Sequence, residues 1–370
     1  MDVNFSEEQT MLQDSVRKFV ENDVSLEKVR ELAEEPKGLS DDLWNTVAEQ
    51  GWLGILVPEA LGGLDMGLQE FGVVAYELGR GVVPGPFLST TLATFMIAKG
   101  GTDAAKEKYI ENLVAGATVG SVAIVEPELG IDLTNTTCTA TPSSDGFTLS
   151  GQKDLVVDAA AANVFVVAAK TDSGTGFFIV DKDADGVTVT PNKVWDLTSR
   201  NGTLSLDNVQ VSGDAVIQNP DDVFQKTLRV ANIGIAADCL GGSEYIHKLT
   251  VGYAKERSQF GTLIGSFQSV KHPLVDLFAQ IESAKSAFHY GTWAADAESE
   301  DVEVAVAVAR NTNTECYRNV TLTCLQLHGG IGFTWEYDLH LFLKRAKHNQ
   351  FLFGNADHYD ELICTQALGI

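Results

Sequence analysis

The spacing of apolar residues changes twice along the chain. Up to about residue 117 they recur every three or four positions, as in amphipathic helices. In the first such stretch the apolar positions are Met11, Leu12, Val16, Phe19 and Val20. Ser6 and Gln9 stand three apart and predict a capping box at its start. The helical spacing is expected to continue through 44–55 and to break at a turn in 58–63.

From about residue 119 the apolar runs become short and rich in β-branched and aromatic residues. The predicted strands lie at 122–125, 147–150, 164–168, 176–180 and 186–190. Turns rich in Asp, Gly and Ser separate them, which is typical of a β-barrel or sandwich. After Pro220 the helical spacing returns. This order predicts an α+β multi-domain fold with an N-terminal helical domain (1–117), a central β-barrel or sandwich domain (118–218) and a C-terminal helical domain (219–370).

Charge and cysteine content narrow the possible partners. The 370 residues carry a net charge of −25, which argues against nucleic acid and against an anionic membrane surface. It does not exclude an anionic ligand held by a few local cations. The apolar runs are shorter than the ~20 residues of a membrane span. The five cysteines show no C-x-x-C pair, so we expect reduced thiols in a cytoplasmic protein, without a disulfide frame or a metal site.

Two glycine-rich segments carry the strongest chemical signal. Arg257-Ser258-Gln259-Phe260-Gly261 follows a helical pattern, and such a group can grip a pyrophosphate and stack beside an adenine. The second segment, Gln326-Leu327-His328-Gly329-Gly330-Ile331-Gly332-Phe333, also follows a helical pattern. The structural alternative is that Arg257 is a cation at a helix C-terminus and the glycines are helix caps.

The order and spacing of these two segments resemble the acyl-CoA dehydrogenase family, which uses FAD. The resemblance extends along nearly the whole chain. Residues 56–63, 125–132 and 151–157 are similar to the family's P-E-x-x-G-G, T-E-P-x-A-G-S-D and G-x-K-x-W-I-T segments. It implies the family's plan of a helical domain, a β-domain and a C-terminal four-helix bundle.

The resemblance also implies a reaction, the α,β-dehydrogenation of an acyl-CoA thioester. In the family a carboxylate removes the α-proton while hydride leaves the β-carbon for the flavin, and an electron-transfer flavoprotein usually takes the electrons onward. Both glycine-rich segments reach the flavin of a neighbouring subunit, so an oligomer is expected. The implied FAD-binding residues are Arg257, Gln259, Phe260, Gln268, Gln326, Gly329 and Gly330. His328 is expected to line the same groove.

The segments that face the flavin ring depart from the family pattern. Val125, Ile131 and Val157 stand where the family has hydroxyl side chains, and Leu155 stands where it has Trp. None of these four side chains can donate a hydrogen bond. The substitutions predict a weakened pocket for the flavin ring, although backbone N–H groups remain available.

Neither position at which the family places its catalytic base carries a carboxylate. By alignment to the family's Y-E-G-T turn, Phe353 replaces the Glu, and Ala231 occupies the alternative position on the preceding helix. Asp238 lies two helical turns beyond Ala231, about 10 Å away by helical rise. Because a carboxylate in an apolar stretch is unusual, Asp238 is the candidate catalytic base. The alternative is a buried structural Asp bonded to the backbone or to an Arg.

These features favour one hypothesis over two others. The first is a subunit of a heteromeric, FAD-dependent acyl-CoA dehydrogenase, paired with a second acyl-CoA dehydrogenase-like chain and acting on a bulky, branched or sterol-derived acyl-CoA. The second is a self-sufficient homotetramer that uses Asp238. The third is a non-catalytic paralogue that binds a CoA ester or a partner without turnover.

Overall fold

The computed structural model describes residues 6–35, 38–127 and 129–369. Its α-helices are α1 Glu7–Asp23, α2 Leu26–Glu34, α3 Asp41–Glu49, α4 Leu68–Arg80, α5 Phe87–Gly100, α6 Asp103–Val114, α7 Pro220–Glu256, α8 Gln268–Asp296, α9 Val302–His328, α10 Leu339–Asn349 and α11 Ala356–Ile363. Its strands are β1 Gly120–Ala123, β2 Thr139–Pro142, β3 Gly146–Val157, β4 Val164–Thr171, β5 Gly174–Asp181, β6 Val187–Pro191, β7 Asn201–Ser212, β8 Ser258–Gln259 and β9 Thr262–Leu263.

The start of α1 confirms the predicted capping box. The Gln9 N–H donates to Ser6 Oγ at 3.1 Å, and the Ser6 N–H donates to Gln9 Oε1 at 3.0 Å. The helix buries Val16, Phe19 and Val20, as its apolar spacing predicts, whereas Met11 of the same predicted series is 72% exposed. Local sequence therefore determines both where this helix begins and which face it buries.

The predicted helix over 44–55 is wrong in its second half. Helix α3 ends at Glu49, and Gly51 adopts a left-handed backbone conformation with φ of +76°. Trp52–Gly54 then forms a separate short 3-10 helix. All three of its residues are buried, so the apolar spacing continued while the helix itself was interrupted by the glycine.

Contacts divide the chain into two compact units. The helical unit comprises Met1–Glu31, Leu68–Val83 and Asn232–Ile370, and the sheet unit comprises Leu32–Gly67 and Pro84–Ala231. The units interleave along the sequence, whereas the sequence predicts three consecutive domains. Within the described residues, no helix combines the length and apolar content needed to cross a membrane.

The sheet unit is organised around a seven-stranded sheet in the order β1-β4-β2-β3-β7-β6, with β5 also paired to β4. Strands β1 and β2 run parallel to β4, and the remaining pairs are antiparallel. The predicted strands correspond to β1, β3, β4, β5 and β6. Strands β2 and β7 were not predicted, and β7 forms the long central pair with β3.

In the helical unit, α8 packs along α9, and α4 crosses α7 at very close range. A Cβ atom on Gly79 of α4 would lie 2.3 Å from the Cα of Asp238, and one on Gly241 of α7 would lie 2.0 Å from the Tyr76 carbonyl oxygen. Only glycine permits such an approach of two helix backbones. This crossing fixes the segment of α7 that carries Asp238.

A buried ion pair anchors the segment after β1 in the sheet unit. Lys153 Nζ lies 2.6 Å from Glu126 Oε1, and the two side chains are 0% and 3% exposed. Thr136 and Thr137 donate further hydrogen bonds to the same carboxylate. Burial alone would raise the pKa of Glu126, but these hydrogen bonds outweigh burial and lower it to about 2. The adjoining Glu128 lies outside the described residues.

We expect Lys153→Met to lower the free energy of unfolding by about 3–5 kcal/mol, because it leaves the Glu126 carboxylate buried and unpaired. In the unmodified protein the contribution of Glu126 is present above the ordinary carboxyl pKa of 4.5 and is lost as pH falls toward about 2. Urea unfolding at neutral and acidic pH measures both effects. Lys170→Met, at an exposed position of β4, is the control. An equal loss in both variants would contradict the prediction.

Candidate functional site

The segment after α7 folds into a tight hairpin. Strands β8 and β9 pair around Phe260 and Gly261, whose φ angles are +55° and +79°. Two positive φ angles are the pattern of a type I′ turn, which suits a two-residue hairpin. The Ile264 N–H donates to the Arg257 carbonyl at 2.8 Å and closes the base of the hairpin. The backbone of this predicted cofactor segment is therefore well defined.

Phe260 combines two unfavourable features. Its side chain is 94% exposed, and its left-handed backbone conformation costs an L-residue about 1–2 kcal/mol. Arg257 and Gln259 of the same hairpin are exposed as well. A strained, exposed aromatic residue beside an exposed guanidinium is typical of a binding segment and not of a packing element.

The second predicted segment forms an open turn at the end of α9. Gly329 ends the helix with φ of +64°, and its N–H donates to the Gln326 carbonyl. A Cβ atom on Gly329 or Gly330 would meet nothing within 4 Å, so a ligand can approach this backbone closely. Gln326 is exposed. Gln268, the first residue of α8, is exposed too.

The structure brings the ends of α7 and α9 together. The ring of Tyr253, in the last turn of α7, stacks on His328 at a centroid distance of 4.3 Å. The hairpin begins at Arg257 and the open turn at Gly329, so each follows closely after one of the two stacked residues. Two segments about seventy positions apart thus share one side of the helical unit, as a common ligand requires.

Phe353 is buried at the position where the family's Glu is expected. It is 6% exposed and has φ of +52°. The Tyr359 hydroxyl donates to the Phe353 carbonyl at 2.6 Å. Arg310 donates to the carbonyls on either side, those of Leu352 and Gly354. The turn is held firmly, but the side chain that it carries cannot accept a proton. Ala231, the alternative base position, is buried as well.

Arg310 was not identified from the sequence. Its side chain is fully buried in α9 and also donates to the carbonyls of Asn349 and Gln350 at the end of α10. The guanidinium lies 4.4 Å from the centre of the Tyr359 ring, and burial lowers its pKa. The available signal was a single Arg at the end of the apolar run 304–309. Carbonyl dipoles at a helix C-terminus provide the compensation that a carboxylate usually supplies.

Both carboxylate oxygens of Asp238 are engaged. Oδ2 lies 2.9 Å from Arg345 Nη1, and Oδ1 accepts a hydrogen bond of 2.6 Å from Asn349 Nδ2. The side chains of Asp238 and Arg345 are 18% and 10% exposed. A base must have an oxygen free to accept the substrate proton, so this arrangement favours the structural alternative. The catalytic role of Asp238 stays a prediction.

The residues expected near the flavin ring lie in the sheet unit. Leu155 has φ of +50°, is 52% exposed and lies in the β3 irregularity between Lys153 and Val156. Its N–H donates to Asp154 Oδ1 at 3.0 Å, which helps to hold the strained conformation. A strained backbone thus occurs at the position where the resemblance implies a Trp. Among the other replaced positions, Val157 is buried, and Val125 and Ile131 are half-buried.

Comparisons with known proteins agree with this layout. The sequence profiles of the acyl-CoA dehydrogenase N-terminal, middle and C-terminal domains match residues 6–117, 121–209 and 222–367. Acyl-CoA dehydrogenase IpdE2 of Mycolicibacterium smegmatis is 31% identical over 350 residues, covering 94% of this chain and 95% of the relative.

Two solved structures have similar folds. A variant of the Tcur3481–Tcur3483 steroid ACAD matches with a TM-score of 0.90 at 31% identity, covering 98% of both chains. The ChsE4–ChsE5 complex from Mycobacterium tuberculosis matches with a TM-score of 0.92 at 26% identity, covering 100% of both.

The matches to all three domain profiles define the class of this chain as an FAD-dependent dehydrogenase. The chain belongs to the acyl-CoA dehydrogenase family, whose members are oxidoreductases acting on CH–CH bonds. This confirms the predicted fold class and the recognised family. The family uses FAD. The open backbone at Gly329 and Gly330 and the exposed guanidinium of Arg257 are each chemically suited to the pyrophosphate and adenosine of that cofactor.

We expect Arg310→Met to destabilise the protein by about 3–5 kcal/mol, because several buried carbonyls of the 349–354 turn lose their donor. Arg318→Met, on the same helix but 37% exposed, is expected to change stability by no more than about 0.5 kcal/mol. Chemical denaturation of both variants measures the difference. Similar stabilities would show that Arg310 does not hold the turn.

Proposed function

We propose that this chain is one subunit of a heteromeric, FAD-dependent acyl-CoA dehydrogenase whose catalytic base comes from a second acyl-CoA dehydrogenase-like chain. The observation that carries the proposal is the buried Phe353, which Arg310 and Tyr359 hold where the family places its Glu. A carboxylate in the family abstracts the α-proton, and this turn has none to offer.

The ADP-binding residues support a contribution to a shared cofactor. The proposed ligands of the pyrophosphate and adenosine of FAD are Arg257, Gln259 and Phe260 on the hairpin and Gly329 and Gly330 on the open turn, which are exposed or leave open space around the backbone. Gln268 and Gln326 complete the proposed set. When bound, FAD supplies the acceptor for the hydride that leaves the β-carbon of the acyl-CoA. The chain itself binds and orients the nucleotide part.

The names of similar proteins support the partner and substrate classes. Two of the solved neighbours pair different polypeptides, ChsE4 with ChsE5 and Tcur3481 with Tcur3483, and the latter is called a steroid ACAD. By analogy, we propose a bulky acyl-CoA, such as a sterol-derived one, as the substrate, and an electron-transfer flavoprotein as the acceptor. The free thiols of the chain fit a cytoplasmic location.

The first test is the FAD content of the purified chain, measured from its visible spectrum. We expect well under one FAD per chain alone, and restoration of bound flavin on co-expression with a family member that carries Glu at the position of Phe353. One FAD per chain in the absence of a partner would support the self-sufficient homotetramer. No flavin in either preparation would leave the non-catalytic paralogue as the explanation.

Asp238→Asn separates the first two possibilities. If the partner supplies the base, we expect kcat to change less than about threefold while the protein loses stability, because Arg345 loses its ion pair with Asp238. Removal of a true base lowers kcat by about 10²–10⁴-fold. Steady-state kinetics and thermal unfolding of the active preparation measure both quantities. Asp222→Asn, at a side chain 63% exposed on α7, is the control.

A further inference from the structure

Three aromatic rings pack against one another in the helical unit, next to the two predicted nucleotide-binding segments. His328 lies between Tyr253, at a centroid distance of 4.3 Å with an interplanar angle of 22°, and Tyr337, at 5.1 Å and 47°. His328 is only 3% exposed. We call Tyr253, His328 and Tyr337 the ring stack.

The hydrogen bonds of His328 define its protonation. Nδ1 lies 2.8 Å from the Cys324 carbonyl oxygen, which can only accept, so Nδ1 carries the proton. Nε2 is buried without a hydrogen-bond partner among residues 6–35, 38–127 and 129–369. A proton on Nε2 would therefore be a buried, unsatisfied donor on a charged ring. Burial lowers the pKa of His328, and the bond to Cys324 opposes that shift without reversing it.

The ring stack lies next to the start of both the Arg257 hairpin and the Gly329 turn. The Tyr253 carbonyl accepts a hydrogen bond of 2.9 Å from the Arg257 N–H, where the hairpin begins. His328 directly precedes Gly329, where the open turn begins. A Cβ atom on Gly332 would lie 3.1 Å from the Cβ of His328, so the rest of the turn also packs on this residue. The imidazole thus lies where both segments leave their helices.

We propose that His328 is a positioning residue for the cofactor: its neutral ring, held between Tyr253 and Tyr337, keeps the Arg257 hairpin and the Gly329 turn at the separation that one ADP moiety requires. This inference rests on the proposed FAD-binding function. It assigns His328 a role through the segments that it joins and not through direct contact with the nucleotide.

The groups that pack around the imidazole are two phenol rings and the backbone of Cys324. Tyr253 and Tyr337 are phenols, and burial raises the pKa of Tyr337. Cys324 supplies the accepting carbonyl, and burial raises the pKa of its thiol to about 12. Glu256 and Asp338 are charged groups that act on the neighbouring Tyr337. His340 stacks separately on Trp335 and serves as a control.

The test compares two substitutions in the preparation that binds FAD. His328→Asn keeps a donor for the Cys324 carbonyl and removes the ring, while His328→Phe keeps a ring and removes the donor. We expect His328→Asn to weaken FAD binding by about three- to tenfold, the value of one aromatic contact, and His328→Phe to preserve most of the affinity. Flavin fluorescence measures the dissociation constants.

The pH dependence supplies a second readout. Because the bound state requires the neutral ring, the FAD affinity of the unmodified protein is expected to be constant at neutral pH. It then falls as pH drops through the pKa of His328, which lies below the ordinary value of about 6.5. The ratio of the His328→Phe dissociation constant to that of the unmodified protein should therefore decrease in acid. In His340→Gln this ratio should stay constant.

The outcomes distinguish this inference from the function on which it rests. If the unmodified preparation binds no FAD, the proposed function fails. If it binds FAD and His328→Asn lowers the melting temperature without changing the affinity, His328 is only a packing residue and the inference is overturned. A flat ratio for His328→Phe across the acidic range would overturn the requirement for a neutral ring.

Discussion

The guanidinium of Arg310 is the constraint on which the centre of the helical unit depends. It is fully buried and, within the described part of the chain, forms no ion pair, so backbone carbonyls at the end of α10 must balance its charge. One of these carbonyls belongs to Asn349, whose side chain holds Asp238, which in turn pairs with Arg345. The base position, the end of α10 and the carboxylate of α7 are therefore parts of one polar network, and a change in one is expected to affect the others.

This network explains how the 349–354 turn keeps its geometry with a Phe at the predicted base position. Its geometry comes from Arg310 and from the Tyr359 hydroxyl, both of which bind backbone carbonyls and are insensitive to the side chain at position 353. A left-handed backbone at a Phe costs about 1–2 kcal/mol, and burial of its ring contributes a comparable or larger gain of about 1.5–3 kcal/mol. The exchange of a carboxylate for an aromatic ring at this position is compatible with an intact fold.

Local sequence predicted what local interactions determine. The capping box of Ser6 and Gln9 formed as expected, and the strands with continuous apolar runs were found. Strand β2 was missed because only one of its four residues, Ala140, is buried, and β7 because Asp207 and Asn208 interrupt its alternation. Asn208 has φ of +55°, opposite a register shift in β3.

In the candidate site, too, features formed by consecutive residues were predicted and features formed by distant residues were not. The two glycine-rich segments were recognisable because their chemistry is written in consecutive residues. The hydrogen bonds of Arg310 to the 349–354 turn and the ring stack could not be recognised in the sequence, because each joins residues that are distant along the chain. His328, for example, lies seventy-five positions from Tyr253. Such contacts are set by the crossing of helices and not by propensity. The pairing of Asp238 with Arg345 has the same origin, and a single carboxylate in an apolar stretch fits a base or an ion pair equally well until its neighbours are known.

The residues that stabilise the two units are thus different from the residues predicted to bind the cofactor. Arg310, Lys153 and the glycine crossing of α4 with α7 stabilise the two units through buried contacts that need no ligand. Phe260 is strained and almost fully exposed, and so contributes little to that stability. Strained, exposed residues such as Phe260 destabilise the isolated fold. Binding of a ligand or of a neighbouring chain can offset this destabilisation. The strained, exposed hairpin and the buried ring of Phe353 are therefore the two features of this chain that support the proposed shared site.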